Sequence, residues 1–466
     1  MINKKRLNIN QVTFFNILST FLLQGIAFLT IPLFTRMLGT EQYGLYSVYI
    51  SWVSLIACFM GLNVSSSLGT GLFHFKENYH SFRSSVLVLG TFISIAIILI
   101  GVALIKPLSS FMNYSGLIYI LLLVTSFGHF VITFVQLSFI YEKKAISNLI
   151  FSLILSLSTV GLSVLLILFS KNNSKYVGRI LGYSIPYIFI AALMWIIFFF
   201  KKPTFIKKEY AKYALLFGIP IVFHSLSQNV LAQSDRVMMQ NLGVLDSDIG
   251  VYSLYYSFTG VMSTLLIALN NSWCPFFYEF LKKEDWDGLD KKIKNYTEFF
   301  TILMVGFLLL SREVSFLFAN SDFWIGVDLI PIITISYLFM FLYMFPVNYE
   351  LFHKKTTVIA IGTMCAALAN IGLNFALIPL WGMYGAAIAT AISYLFLFVI
   401  HLFIVGISKM GHYKINFLYF IPCIISVIIA CCLFYLFKDF VKIRWLLGAF
   451  LGIFEITRIW KRKTIF

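Results

Sequence analysis

Charge is scarce in this sequence: 12% of its 466 residues are Asp, Glu, Lys or Arg, about half the share of ordinary soluble domains. Water is therefore excluded as the chain's main solvent. Acidic residues are scarcer still, 19 against 35 basic ones. They gather only at Glu284, Asp285, Asp287 and Asp290, where alternation with lysines reads as a solvated helix rather than a catalytic carboxylate cluster. The six cysteines, Cys58, Cys274, Cys365, Cys423, Cys431 and Cys432, show neither metal-ligand nor redox spacing and read as small apolar residues. No G-x-x-x-x-G-K-[ST] stretch occurs, which argues against ATP as a direct fuel. No segment is left over for a soluble domain.

What is present is apolar. The hydrophobic share is 60% and the mean hydropathy +0.90. Apolar runs long enough to cross a bilayer core of about 30 Å as helices recur along the chain. They predict an all-α integral membrane protein of about fourteen spans, at roughly 12–34, 45–68, 85–105, 115–140, 147–169, 177–200, 213–241, 250–273, 296–318, 328–349, 357–379, 383–407, 416–437 and 442–460. The runs lack the alternation of a membrane β-barrel. Lys4, Lys5 and Arg6 precede the first run in the manner of a signal peptide, but its length, Asn16, Gln24 and the missing cleavage site favour a retained helix. Basic residues concentrate on one side, including Lys201, Lys202, Lys207, Lys208, Lys282, Lys283, Lys291, Lys292, Lys461, Arg462 and Lys463, which puts both termini in the cytoplasm. Dispersal over short loops argues against a nucleic-acid surface.

The chain also repeats itself. Gly44-Leu45-Tyr46-Ser47-Val48-Tyr49 matches Gly250-Val251-Tyr252-Ser253-Leu254-Tyr255, each preceded by a Leu-Gly pair, Leu38-Gly39 and Leu242-Gly243. Gln24 and Gln228 precede those pairs at equal distances, and Gly178, Gly182 and Ser184 align with Gly385, Ala389 and Ala391 at nearly the same offset. The pattern predicts two six-helix lobes in parallel repeat, 1–205 and 206–410, followed by two further helices in 411–466.

Several motifs follow in a particular order: Arg36-Met37-Leu38-Gly39 with Tyr43-Gly44-Leu45-Tyr46, Asp235-Arg236 with Leu242-Gly243, Trp273-Cys274-Pro275-Phe276, and Asn370-Ile371-Gly372-Leu373-Asn374 with Pro379, Gly382 and Gly385-Ala386-Ala387. In that order the chain resembles the polysaccharide-transport branch of the multidrug/oligosaccharidyl-lipid/polysaccharide exporter superfamily, which includes Wzx-type O-antigen flippases. The resemblance implies a MATE-like fold of two lobes facing a central cavity and alternating access. It implies transfer of a polyprenyl-diphosphate oligosaccharide from the cytoplasmic to the outer leaflet of a bacterial inner membrane, with no enzymatic step. Glycan polymerase and chain-length machinery are the implied protein partners. The alternatives are another lipid-linked glycan, from capsule, teichoic acid or peptidoglycan synthesis, a cation-coupled drug antiporter, or a membrane glycan polymerase. The drug-exporting branch typically carries an acid in its first helix, and the run 12–34 has none.

Carrying a diphosphate through hydrocarbon requires cationic and hydrogen-bonding groups in a wet cavity. Arginine suits phosphate because its planar fork donates two parallel hydrogen bonds. Arg236, Arg36 and Arg179 are therefore the diphosphate candidates, although Arg36 also fits a snorkelling role, Arg179 a loop charge and Arg236 a local ion pair. Gln24, Gln228, Asn229, Gln233, Asn270, Tyr46 and Tyr252 are the sugar-contact candidates. Asp235, Glu313 and Glu350 are candidates for coupling to a proton or sodium gradient; no cofactor or metal is expected. His129 and His224 read as packing residues, and Pro220, between Gly218 and His224, marks either a static kink or a bending element in the seventh span.

Overall fold

The computed structural model describes residues 25–407, 413, 415–437 and 440–462, and every described regular element is helical. The chain forms two compact units, Met1–Ser247 and Asp248–Phe466. In the first, α1 (Ile31–Ala57) runs into a tight 3-10 segment (Met60–Ser67) and a short α2 (Leu68–His74). Then come α3 (Tyr79–Ala103), α4 (Ile105–Phe111), α5 (Gly116–Tyr141), α6 (Ala145–Phe169), α7 (Lys175–Phe200) and α8 (Lys208–Asn241). Helix α8 begins the second copy of the sequence repeat, yet it packs within the first unit, against the 3-10 segment, α1 and α3. It stays helical through Pro220.

The second unit contains α10 (Val261–Lys283), α11 (Trp286–Phe318), α12 (Leu329–Phe352), α13 (Thr356–Ile407), α14 (Ile421–Leu436) and α15 (Val441–Arg462), and α9 (Asp246–Thr259) leads into it. The run α13 consists of two helical arms that fold back on each other at Gly382, whose φ is +53°. Gly385 lies against the carbonyl of Leu377, and Asn370 Nδ2 reaches Thr390 Oγ1 at 3.5 Å across the two arms. It is therefore a hairpin of two passes.

Ten described helices are long and apolar enough to cross a membrane, or eleven if the pair Ile31–Ala57 and Met60–His74, bent by 60°, counts as one. The expected fourteen also include the run 12–34, largely outside the described residues, the second arm of α13, and α15, where Lys442, Arg444, Glu455 and Arg458 dilute the apolar run. Large apolar side chains such as Leu117, Phe169, Phe189 and Leu446 stand mostly exposed, as suits a surface solvated by lipid. This is a multi-pass membrane protein.

Lipid tails are as apolar as leucine, so helix association here rests on close packing and on hydrogen bonds between helices. Gly178 and Gly182 on α7 meet α6 so closely that a Cβ would strike Leu166 and Ser163 backbone atoms. The aligned Gly385 does the same between the arms of α13. The matched Gly39 and Gly243 also share a backbone state, φ +71° and +81°, that side-chain-bearing residues rarely adopt. The cores differ: Phe82, Val86, Phe130 and Phe134 centre the first, and Trp273, Tyr296, Phe300, Phe341 and Phe345 the second. The acidic run is not simply solvated, because Asp285 caps α11 at Gly288 N and Asp290 accepts from Tyr413 and Tyr419 at 2.6 and 2.7 Å.

Candidate functional site

Between α1 and α2 the backbone takes an unusual path. Gly61, Leu62 and Asn63 are all left-handed, at φ +65°, +45° and +53°. Leucine in that region costs roughly 1–2 kcal/mol, and such a segment persists only where its surroundings over-determine it. Here Gly218 of α8 lies directly against the Leu62 carbonyl, with no room for a Cβ, and Phe130 of α5 covers Gly61. Asn63 Nδ2 donates to Ser225 Oγ of α8 at 3.1 Å.

The break opens a cavity of about 290 Å³ whose wall includes Ser54, Asn63, Ser65, His129, Thr133 and Asn229. In a bundle packed mainly by apolar side chains, this wall is rich in hydrogen-bonding groups of both kinds. From the cavity an aromatic and cationic track runs along α7. His129 Nε2 and Tyr183 OH are 2.7 Å apart, and the imidazole stacks on Tyr187 with ring centroids 4.3 Å apart. Tyr183 meets Tyr46 edge-on at 6.3 Å. The Arg179 guanidinium lies 3.6 Å from the Phe34 ring centroid and 4.6 Å from that of Tyr46. Its Nη1 donates to Ser163 Oγ at 2.6 Å, while its buried Nε has no hydrogen-bond partner. Cation–π contacts with two rings hold the charge in place without neutralising it.

The other candidates separate by environment. Gln233 Oε1 accepts from Ser51 Oγ at 3.0 Å and Arg236 Nη1 at 3.2 Å. Arg236 is buried and also donates to the Ala232 carbonyl of its own helix, whereas Arg36 is exposed, so their similar places in the repeat lead to different surroundings. Asp235 is fully buried, Asn229 lines the cavity and donates to the Ser225 carbonyl, and Gln228 and His224 are half-buried. Gln24 lies outside the described residues.

In the second unit Tyr252 is buried in the core, and Asn270 Oδ1 accepts from Asn348 Nδ2 at 2.8 Å. Glu313 is held by Arg444, itself buried, and by Trp445 Nε1 at 3.2 Å. Glu350 pairs with His401.

Sequence reasoning missed Asn63, Tyr183, Tyr187 and His401, and it treated His129 as packing. A signal for most of these was present: Arg179, Tyr183 and Tyr187 recur at intervals of four, as do Thr125, His129 and Thr133, so each set shares one helix face. At the loop end of α5, Glu142 receives Arg83 and Lys144. Burial pushes its carboxyl up, but the Lys144 hydrogen bond and the charges of Arg83 and Lys144 outweigh that and hold it below its ordinary value.

Residues 9–281 match a family model described as "Polysaccharide biosynthesis protein". An uncharacterized membrane protein of Haemophilus influenzae is 25% identical over 360 residues, covering 74% of this chain and 85% of that protein. The probable low-salt glycan biosynthesis flippase Agl15 of Haloferax volcanii is 21% identical over 449 residues, 92% and 90% of the two chains. The fold is shared with the lipid II flippase MurJ in an inward closed conformation, at a TM-score of 0.61 and 18% identity over 97% of this chain and 99% of that one. The family match spans more than half of the sequence, and the chain belongs to the polysaccharide biosynthesis protein family.

Proposed function

We propose that this protein flips a lipid-linked glycan, a polyprenyl diphosphate carrying a short oligosaccharide such as an O-antigen repeat unit, from the cytoplasmic to the outer leaflet of a bacterial inner membrane. The observation that carries this reading is the polar and aromatic track of the first unit, with Arg179 at one end and the hydrogen-bonding cavity at the other. A diphosphate needs a cation held in a low-dielectric setting, and sugars need hydrogen-bonding walls and flat apolar faces; the track has all three. Of the three arginines considered for the diphosphate, Arg179 is favoured, because its Nε keeps an unused donor while Arg236 is engaged by its own helix. The family and the glycan flippase among its relatives support the substrate class. Both termini are assigned to the cytoplasm by the positive-inside rule.

Alternating access of the lobes 1–205 and 206–410 supplies the mechanism. With the cell interior negative, outward movement of about two negative charges is favoured by about 4–5 kcal/mol at 100 mV, before any coupling ion is invoked. The test is reconstitution in proteoliposomes with polyprenyl-diphosphate oligosaccharides of several compositions, scoring accessibility of the glycan from the far leaflet. Arg179→Lys keeps the charge but loses the fork and should slow transfer about tenfold at unchanged protein level. Wild-type rates in that variant would remove Arg179 from the substrate path. An absence of transfer with every lipid-linked glycan would reject the function.

A further inference from the structure

At one membrane end of the first unit, three cations crowd around one carboxylate. The cluster sits where four apolar helices begin or end: α3 begins at Tyr79, α5 ends at Tyr141, α6 begins at Ala145 and α7 ends at Phe200. The turn from α5 to α6 is fixed by Lys143, left-handed at φ +57°, and by Lys144 N, which donates to the Phe139 carbonyl at 2.8 Å. That turn brings Glu142 and Lys144 to Arg83 of α3. Helix α7 adds Phe198, whose ring centroid is 4.3 Å from the guanidinium, and Lys201 just past its end.

Glu142 divides itself between two partners: its Oε1 accepts from Arg83 and its Oε2 from Lys144. Arg83 is 1% exposed, and its Nε and Nη2 have no hydrogen-bond partner among the described residues. The same holds for the buried hydroxyl of Tyr79, which is close enough to feel the charges of both Arg83 and Glu142. Buried donors are seldom left idle, and an ion is one of the things that occupies them. Lys201 is exposed, yet partial burial and the neighbouring charges of Lys144 and Arg83 push its ammonium below the ordinary lysine value. Arg83, Lys144 and Lys201 set against Glu142 leave two positive charges over.

Idle donors, excess positive charge and a position at the headgroup plane match the phosphate of a lipid. Beside the cluster lies a surface for its tails. Helices α6 and α7 are antiparallel neighbours, Gly178 and Gly182 meeting Leu166 and Ser163 at their far ends. Toward the cluster, α6 exposes Ile146, Ile150 and Ile154 at intervals of four, and α7 exposes Ile197 and Phe200, each by 45–67%. We infer that Arg83, Lys144 and Lys201, with Tyr79, form a headgroup site for an anionic phospholipid, in the leaflet that the positive-inside rule assigns to the cytoplasm. Lys201 and Lys144, whose side chain is 40% exposed, meet the phosphate, and Arg83 is the buried charge behind them. The site is separate from the track at Arg179, because α7 rises about 33 Å from residue 179 to residue 201 at 1.5 Å per residue. It stands whether or not a glycan is transported.

The probe is phosphatidylglycerol, with zwitterionic phosphatidylcholine as control, offered to the full chain in mixed detergent micelles and counted as retained lipid by native mass spectrometry. Phosphatidylglycerol should be retained in preference. A cation beside an anionic headgroup is worth about fivefold in affinity, so Lys144→Gln and Lys201→Gln should each lower retention about fivefold, and together about twenty-five-fold. Unfolding midpoints without lipid show that the variants are folded, and Lys201→Gln leaves both ion pairs of Glu142 in place. Lys144→Arg should keep the lipid. Lys282→Gln with Lys283→Gln removes the same charge from the second unit and should change nothing. Equal retention of the two lipids, or unchanged phosphatidylglycerol retention in the folded double variant, overturns the site. Displacement by inorganic phosphate at equal concentration would make it a site for a free anion, and preferential displacement by polyprenyl diphosphate a site for the transported lipid. Either result overturns the phospholipid assignment.

Discussion

The two compact units carry copies of one sequence motif, Gly44–Tyr49 and Gly250–Tyr255, and put the polar residues that follow it to opposite use. After the first copy the helix breaks at three left-handed residues, and Ser54, Asn63 and Ser65 line a cavity. After the second copy α10 runs unbroken from Val261 to Lys283, and Trp273 closes a core with Tyr296 and Phe345. Asn270 pairs with Asn348, Glu313 with Arg444 and Glu350 with His401. A duplicated pattern of apolar helices thus fixes where chain crosses membrane, while a few positions decide whether polar side chains line a cavity or pair with one another. The first unit holds its left-handed segment at the cavity, whereas in the second Asn270, Glu313 and Glu350 each meet a side-chain partner.

Three substitutions test that contrast. The largest loss is expected for Trp273→Ala in the second unit, where removing a side chain 1% exposed should cost about 4 kcal/mol through the cavity it leaves. Thermal unfolding in detergent would read this, and a drop below about 1 kcal/mol would mean that the second core is less closed than its packing indicates. Glu142→Gln comes next, at about 3 kcal/mol, because it leaves the buried Arg83 without its carboxylate partner. The same group sets a pH signature. Its folded-state value is depressed, so its contribution is fully present above the ordinary carboxylate value and fades as pH falls through the folded one. Unfolding midpoints measured down an acid series should converge for wild type and variant; parallel curves would refute the assignment. Gly218→Ala should cost least, about 2 kcal/mol, since its Cβ meets the Leu62 carbonyl and has only backbone to displace. Its effect on glycan transfer should nonetheless be severe, because the left-handed segment forms the cavity wall. Full transfer by that variant would separate the break from function.

Much of the transmembrane plan was legible because it depends on residue type alone: a run of about twenty apolar residues must become a helix in hydrocarbon, whatever surrounds it. The repeat was legible for a related reason, since positive-φ glycines and small residues at close helix contacts are local demands that leave a mark at Gly39, Gly243, Gly182 and Gly385. Parts of the candidate site were legible as well, Tyr46, Arg179 and Asn229 among them, because a polar group in an apolar run stands out. Which polar groups meet was not. Asn63 and Ser225, His129 and Tyr183, and Glu350 and His401 are 162, 54 and 51 residues apart, and no local propensity relates residues so distant. By itself, then, the sequence determined that this is a helical membrane protein built on a repeat, with few embedded polar groups. Tertiary structure alone decided which of those groups face a cavity and which neutralise one another, because a buried hydrogen bond depends on two helices packing in one register.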